Sequence, residues 1–169
     1  MDNIQVLAFD VFGTVVDWHG SIVSEVSAAY PQLDAHAFAL AWRAGYQPAM
    51  QRVRSGQLPW TRLDTLHRMI LDEILPRFGL GHLGEAQRQH LNRVWHRLRP
   101  WPDSVPGLAA LKQKYTITPL SNGNIALLKA RYDEAMNPQQ FFQAKVLELQ
   151  QRHVKYEDTP YSLEPNCKE

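Results

Sequence analysis

Two short apolar runs stand more than a hundred residues apart, and each ends on a polar residue. The first is Ile-Gln-Val-Leu-Ala-Phe at 4–9, followed by Asp10; the second is Ile-Thr-Pro-Leu at 117–120, followed by Ser121. The first run carries β-branched and aromatic residues, which reads as a strand buried on both faces of a parallel sheet. Between the runs Ala, Leu, Met and Arg are plentiful, and the pattern predicts helices over 21–53, 61–78 and 84–97. In 61–78 the apolar positions Leu63, Leu66, Ile70 and Ile74 recur at helical spacing, and Leu71 and Leu75 widen the stripe. Ser55-Gly56 and Pro59 separate the first two helices, Gly79 and Gly81 end the second, and Pro100-Trp101-Pro102 marks a return hinge. A short helix is expected over 106–115 and another over about 124–135, while 144–149 reads as strand or helix.

Strands alternating with helices argue for an α/β fold with an open, Rossmann-like parallel sheet. Such sheets bind ligands at the carboxyl ends of their strands, so Asp10 and Ser121 are expected on one rim. The helical stretch of about 80 residues between the strands exceeds any ordinary loop and reads as a lid over that rim. The expected division is a core of 1–15 plus 98–169, with an inserted helical cap domain at 16–97.

Composition excludes several roles. The net charge is +1, from 18 basic and 17 acidic residues, which leaves no electrostatic footprint for nucleic acid or an anionic membrane. No run reaches the ~20 apolar residues a membrane span needs, and no basic leader precedes the first strand. The single cysteine, Cys167, excludes an internal disulfide and fits a reducing compartment. A cytoplasmic protein is expected. The seven histidines (19, 36, 67, 82, 90, 96 and 153) form no HExxH or similar metal pattern. Trp42, Trp60, Trp95 and Trp101 fall in or next to the expected lid, most as packing residues and one or two as candidates to line an apolar pocket.

An aspartate at a strand end can act as a covalent nucleophile when donors and a nearby cation stabilise its ionised form. Gly13-Thr14 offers turn amides and a hydroxyl, and Ser121 and Asn122 offer further donors. The alternative is that Asp10 is a turn or N-cap residue.

The stretch FDVFGTVVDW at 9–18 resembles the first motif of the haloacid dehalogenase superfamily, and PLSNGN at 119–124 resembles its second. Phosphatases of that superfamily carry a second aspartate two residues after the first, which serves as acid/base and helps bind magnesium. Phe12 stands there in this chain, as an aromatic residue does in the L-2-haloacid dehalogenase branch, which needs no metal. The resemblance implies that Asp10 displaces halide from C2 of a short 2-haloacid and forms an ester. Thr14 would position Asp10, and Ser121 and Asn122 would lie beside the carboxylates. Arg43, in AWRAGY, resembles the lid arginine that receives the departing halide; its alternative is a solvated helix arginine.

RHVKYEDTPY at 152–161 resembles the third motif, with Lys155 followed six residues on by Tyr161, although Tyr156 stands where a proline is usual. Lys155 lies 34 residues after Ser121, close to the family spacing, and Lys129 and Lys145 are poorer candidates. The resemblance also implies a later strand bearing a fourth-motif aspartate; the chain ends at Glu169 without a match, and Asp158 is too close to Lys155 to substitute. A core shortened in this way is expected to be marginally stable, or to form a homodimer covering the first strand. The expected substrate is a small 2-haloacid, with no cofactor. Magnesium enters only under the alternative of a phosphatase on a small phosphoester, and a catalytically impaired protein is the remaining alternative.

Overall fold

The structure, a computed structural model, describes residues 4–121. Along them run β1 (Val6–Phe9), β2 (Val16–Asp17), α1 (Trp18–Ala29), α2 (Ala35–Ala44), α3 (Tyr46–Arg54), α4 (Leu63–Ile74), α5 (Glu85–Asn92), β3 (Arg99–Pro100), α6 (Ser104–Lys112) and β4 (Thr116–Pro119). The elements expected over 124–135 and 144–149 lie outside the described residues.

β1 and β4 pair in parallel, with Val6 opposite Thr116 and Phe9 opposite Pro119. The ladder continues at both ends, where Thr116 N–H donates to Gln5 O (2.8 Å) and Leu120 N–H to Phe9 O (2.7 Å). Burial on both faces of β1 is not what the structure has: Val6 is 49% exposed, and the strand alternates between exposed and half-buried residues. Among the described residues only β4 pairs with it, and α6 contributes no buried side chain.

The helix expected over 21–53 is three helices beginning at Trp18. Asp17 caps α1 by accepting from Gly20 N–H at 2.8 Å. Pro31 follows the end of α1, where a residue without an N–H cannot continue the ladder. Asp34 then caps α2, accepting from Ala37 N–H at 2.9 Å. Gly45 joins α2 to α3 because the packing demands it: a Cβ there would lie 2.3 Å from Ile70 Cγ2 on α4. The 61–78 expectation becomes α4 plus a 3₁₀ turn, Leu75–Phe78, that contains Pro76. Gly79, at φ 73°, closes it in the left-handed conformation. The 84–97 expectation becomes α5 and a second 3₁₀ turn, Arg93–His96. The short helix begins two residues earlier than expected, at Ser104.

These helices enclose one apolar core. Ile22 and Val26 of α1, Phe38 and Trp42 of α2, Leu66 and Leu71 of α4, and Val94 and Leu98 after α5 are fully buried. Each such side chain contributes roughly 1.5–3 kcal/mol by leaving water. Trp42 and Trp95 belong to this core, whereas Trp60 and Trp101 are 47% and 38% exposed. On the outer side Arg68 joins Asp72 (2.9 Å) to both oxygens of Glu85, and Arg88 reaches Asp72 at 2.8 Å, which ties α4 to α5. The bond from Arg68, then that from Gln89, pulls the Glu85 carboxyl down to about 2. No described helix is long and apolar enough to cross a membrane.

The two passages between sheet and helices are zipped together. β2 and β3 pair antiparallel, Val16 opposite Pro100 and Asp17 opposite Arg99. The buried Ser21 hydroxyl splints them, accepting from Arg99 N–H at 2.7 Å and donating to Asp17 O. The return hinge read at Pro100-Trp101-Pro102 is thus partly a strand.

Two outcomes follow from this packing. Gly45→Ala forces a methyl into the stiff, buried Ile70 and is expected to lower stability by about 1–3 kcal/mol in urea melts. His67 is 4% exposed; burial, against a partial opposing pull from Asp64, lowers its pKa from 6.5 to about 3, with Arg43 and His96 pushing the same way as burial. In the unfolded chain His67 takes up a proton that the folded chain refuses across this window. Its contribution is therefore complete above about pH 6.5 and lost as pH falls toward 3, at up to about 1.4 kcal/mol per unit. His67→Gln is expected to flatten the acid limb of the stability–pH curve relative to the parent protein.

Candidate active site

Asp10 is the first residue past β1, and a tight turn holds it. Val11 O accepts from both Val15 N–H and Val16 N–H (3.0 Å each), and Gly13 N–H donates to Val16 O at 2.9 Å. Gly13 has φ +99°, a conformation that a side chain would strain. The turn brings Thr14 back over the strand end, so that its hydroxyl donates to Asp10 Oδ2 at 2.9 Å. That bond fixes the rotation of an otherwise exposed carboxylate. The bond from Leu120 N–H to Phe9 O carries the second strand one residue further, so Asp10 and Ser121 leave adjacent parallel strands at the same rim. Asn122, Lys155 and Tyr161 lie outside the described residues.

Arg43 occupies the last turn of α2 and is half-buried. Its Cζ lies 4.9 Å from the centre of the Tyr46 ring and 6.0 Å from that of Trp18. Among the described residues it makes no ion pair with a carboxylate. A guanidinium supported by aromatic faces keeps its charge and its donors available to an incoming anion. Trp18 links this cation to the turn after Asp10: a Cβ on Gly13 would lie 3.6 Å from the Trp18 Nε1. Behind it, Trp95 lies parallel to Trp18 (6.3 Å, 17°) and is stacked on His67 (4.2 Å, 20°), while Phe12 meets Trp95 edge-on at 6.3 Å. Trp18 is thus in contact with the turn that follows Asp10 and with Arg43.

The aromatic cluster bears on metal chemistry. A magnesium site at this rim calls for a carboxylate two residues after Asp10, and Phe12 points its ring into the Trp95 contact instead. Among the described residues no group of three or more His, Cys, Asp or Glu could hold a metal ion. Among the described residues, the position two after Asp10 supplies a ring and not a carboxylate.

Trp18, Tyr46 and His67 contribute to the site or its support without having been read from the sequence as site residues. Trp18 carried a signal, since it closes the FDVFGTVVDW stretch. His67 carried none, because its role depends on contacts with residues distant in sequence.

Comparison with known proteins identifies the family and the fold. The haloacid dehalogenase-like hydrolase family matches residues 4–163. The crystal structure of the L-2-haloacid dehalogenase PA0810 is 45% identical with a TM-score of 0.70, covering 75% of this chain and 56% of that one. The defluorinating L-2-haloacid dehalogenase Rha0230 is 38% identical with a TM-score of 0.73, covering 86% of this chain and 69% of that one. Among curated sequences, a bifunctional uridylyltransferase/uridylyl-removing enzyme of Cupriavidus metallidurans is 62% identical over 50 residues, which is 28% of this chain and 6% of that protein. The chain therefore spans a small fraction of that relative and little more than half of PA0810. The parallel strand pair with its helical insert and the family match over residues 4–163 make the chain a member of the haloacid dehalogenase-like hydrolases.

Proposed function

We propose that this hydrolase removes halide from short 2-haloacids through an ester on Asp10. A carboxylate oxygen of Asp10 attacks C2, the carbon–halogen bond breaks with its electron pair, and halide leaves toward Arg43. Water then adds to the ester carbonyl, the acyl–oxygen bond breaks, and a 2-hydroxyacid departs with Asp10 restored. Covalent catalysis of this kind separates two steps with different requirements. Thr14 holds the attacking carboxylate, and Arg43 stabilises the charge that develops on the leaving group. By the motif resemblance, Ser121 and Lys155 share in catalysis, and Asn122 and Tyr161 in binding the substrate.

The observation that carries the reading is the pairing of an Asp10 carboxylate held by Thr14 with an aromatic residue, Phe12, where phosphoryl chemistry needs a second carboxylate. Similarity to two L-2-haloacid dehalogenases at 45% and 38% identity supports the same substrate class. The uridylyltransferase similarity covers 28% of the chain, too short a segment to carry a nucleotidyl-transfer reading.

Halide release from 2-chloropropionate tests the proposal. The protein is expected to release chloride without added magnesium, and Asp10→Asn is expected to abolish release. Arg43→Ala is expected to lower kcat about 100-fold, the scale of losing one donor to developing charge. Thr14→Val is expected to lower kcat about tenfold, because an unheld carboxylate loses its attack geometry. Magnesium-dependent hydrolysis of p-nitrophenyl phosphate, with no chloride release, would replace this reading with the phosphatase. Release that stops after one equivalent, with a substrate-sized mass on Asp10, would place the defect in ester hydrolysis.

A further inference from the structure

The nucleophile turn is tied at two points to a segment nearly ninety residues away. The Trp101 indole Nε1–H donates to Gly13 O at 3.1 Å, across a separation of 88 residues. Trp101 N–H donates to Val15 O at 3.1 Å, and the Ser104 hydroxyl donates to that same oxygen at 2.8 Å. Ser104 N–H in turn donates to Trp101 O at 3.0 Å, which makes 101–104 a compact unit. The carbonyls that this unit grips belong to residues 13 and 15, which flank Thr14. Thr14 is the residue whose hydroxyl holds Asp10 Oδ2.

Two features make this more than a loop contact. Gly13, at φ +99°, is the most conformationally free residue of the turn, so its peptide plane needs an outside anchor. Trp101 is 38% exposed, so its ring adds modest packing and its placement is defined by hydrogen bonds. We infer that Trp101 is a positioning residue for the Asp10 nucleophile. With Ser104 it fixes the backbone on both sides of Thr14, and so fixes the carboxylate rotamer required for attack. This rests on the reading of Asp10 as the nucleophile.

Trp101→Phe removes the indole donor and keeps an aromatic ring, and Trp60→Phe, at an exposed position outside the site, serves as control. With 2-chloropropionate, Trp101→Phe is expected to lower kcat five- to tenfold with KM changed less than twofold, while Trp60→Phe matches the parent. Combined with Thr14→Val, Trp101→Phe is expected to add little further loss, since both act through one hydrogen bond. Ser104→Ala is expected to give the same pattern, and it stands in if Trp101→Phe does not fold. Hydrogen exchange of the Gly13, Val15 and Val16 amides provides a readout independent of turnover. These amides are expected to exchange at least tenfold faster in Trp101→Phe, with the amides of α2 and α4 unchanged. An unchanged kcat in an active protein, or losses that simply add with those of Thr14→Val, would overturn the inference. If the parent protein releases no halide, the dehalogenase reading fails by itself; accelerated exchange then upholds the anchoring role of Trp101, and unchanged exchange overturns it.

Discussion

The parallel pairing of Val6–Phe9 with Thr116–Pro119 is the constraint on which the rest of the structure depends. Parallel neighbours cannot be joined by a hairpin, so the chain must leave the sheet at one end and return to the other. Here that crossover contains a complete helical layer, entered at Trp18 and left after His96. Because both strands run in the same direction, the residues just past them emerge side by side. One geometric choice therefore places Asp10 next to the second-strand terminus, with the helical layer inserted between the two strands in the chain.

How much of this could be read from the sequence depended on how local its cause was. Asp10 at a strand end was legible because a run of six residues ending in a carboxylate announces it. The left-handed closure at Gly79 was legible for the same kind of reason. The division of 21–53 into three helices was signalled by Pro31 and Gly45, but Ala- and Leu-rich sequence on either side outweighed two single-residue cues. Gly45 is required by Ile70, 25 positions further on, so no local pattern could reveal why it is there. The exposure of β1 was misread because an unbroken apolar run looks the same whether one face or two are covered. Of the candidate site, Asp10, Thr14, Arg43 and Ser121 fall within the described residues, and their environments came from contacts across the fold. Trp18 is the example: it meets Arg43 across 25 positions of sequence.

The aromatic cluster also shows where this core departs from ordinary packing. His67 Nδ1, Trp95 Nε1 and Asn92 Oδ1 are buried, with no hydrogen-bond partner among the described residues. Buried polar atoms left in that condition are costly, on the order of 1–3 kcal/mol each. They cluster where α4 faces the end of α5, directly behind the rings that support Arg43. The neutral state of His67 suits this location, because a second cation beneath Arg43 would oppose it.

Asp17 has a double assignment. It ends β2 and its side chain caps α1, so not one residue of slack separates the zipped ribbon from the first cap helix. A rocking movement of the helical layer therefore has no free joint on that passage. The first helix is thereby anchored, through the two residues of β2, directly to the turn that bears Thr14.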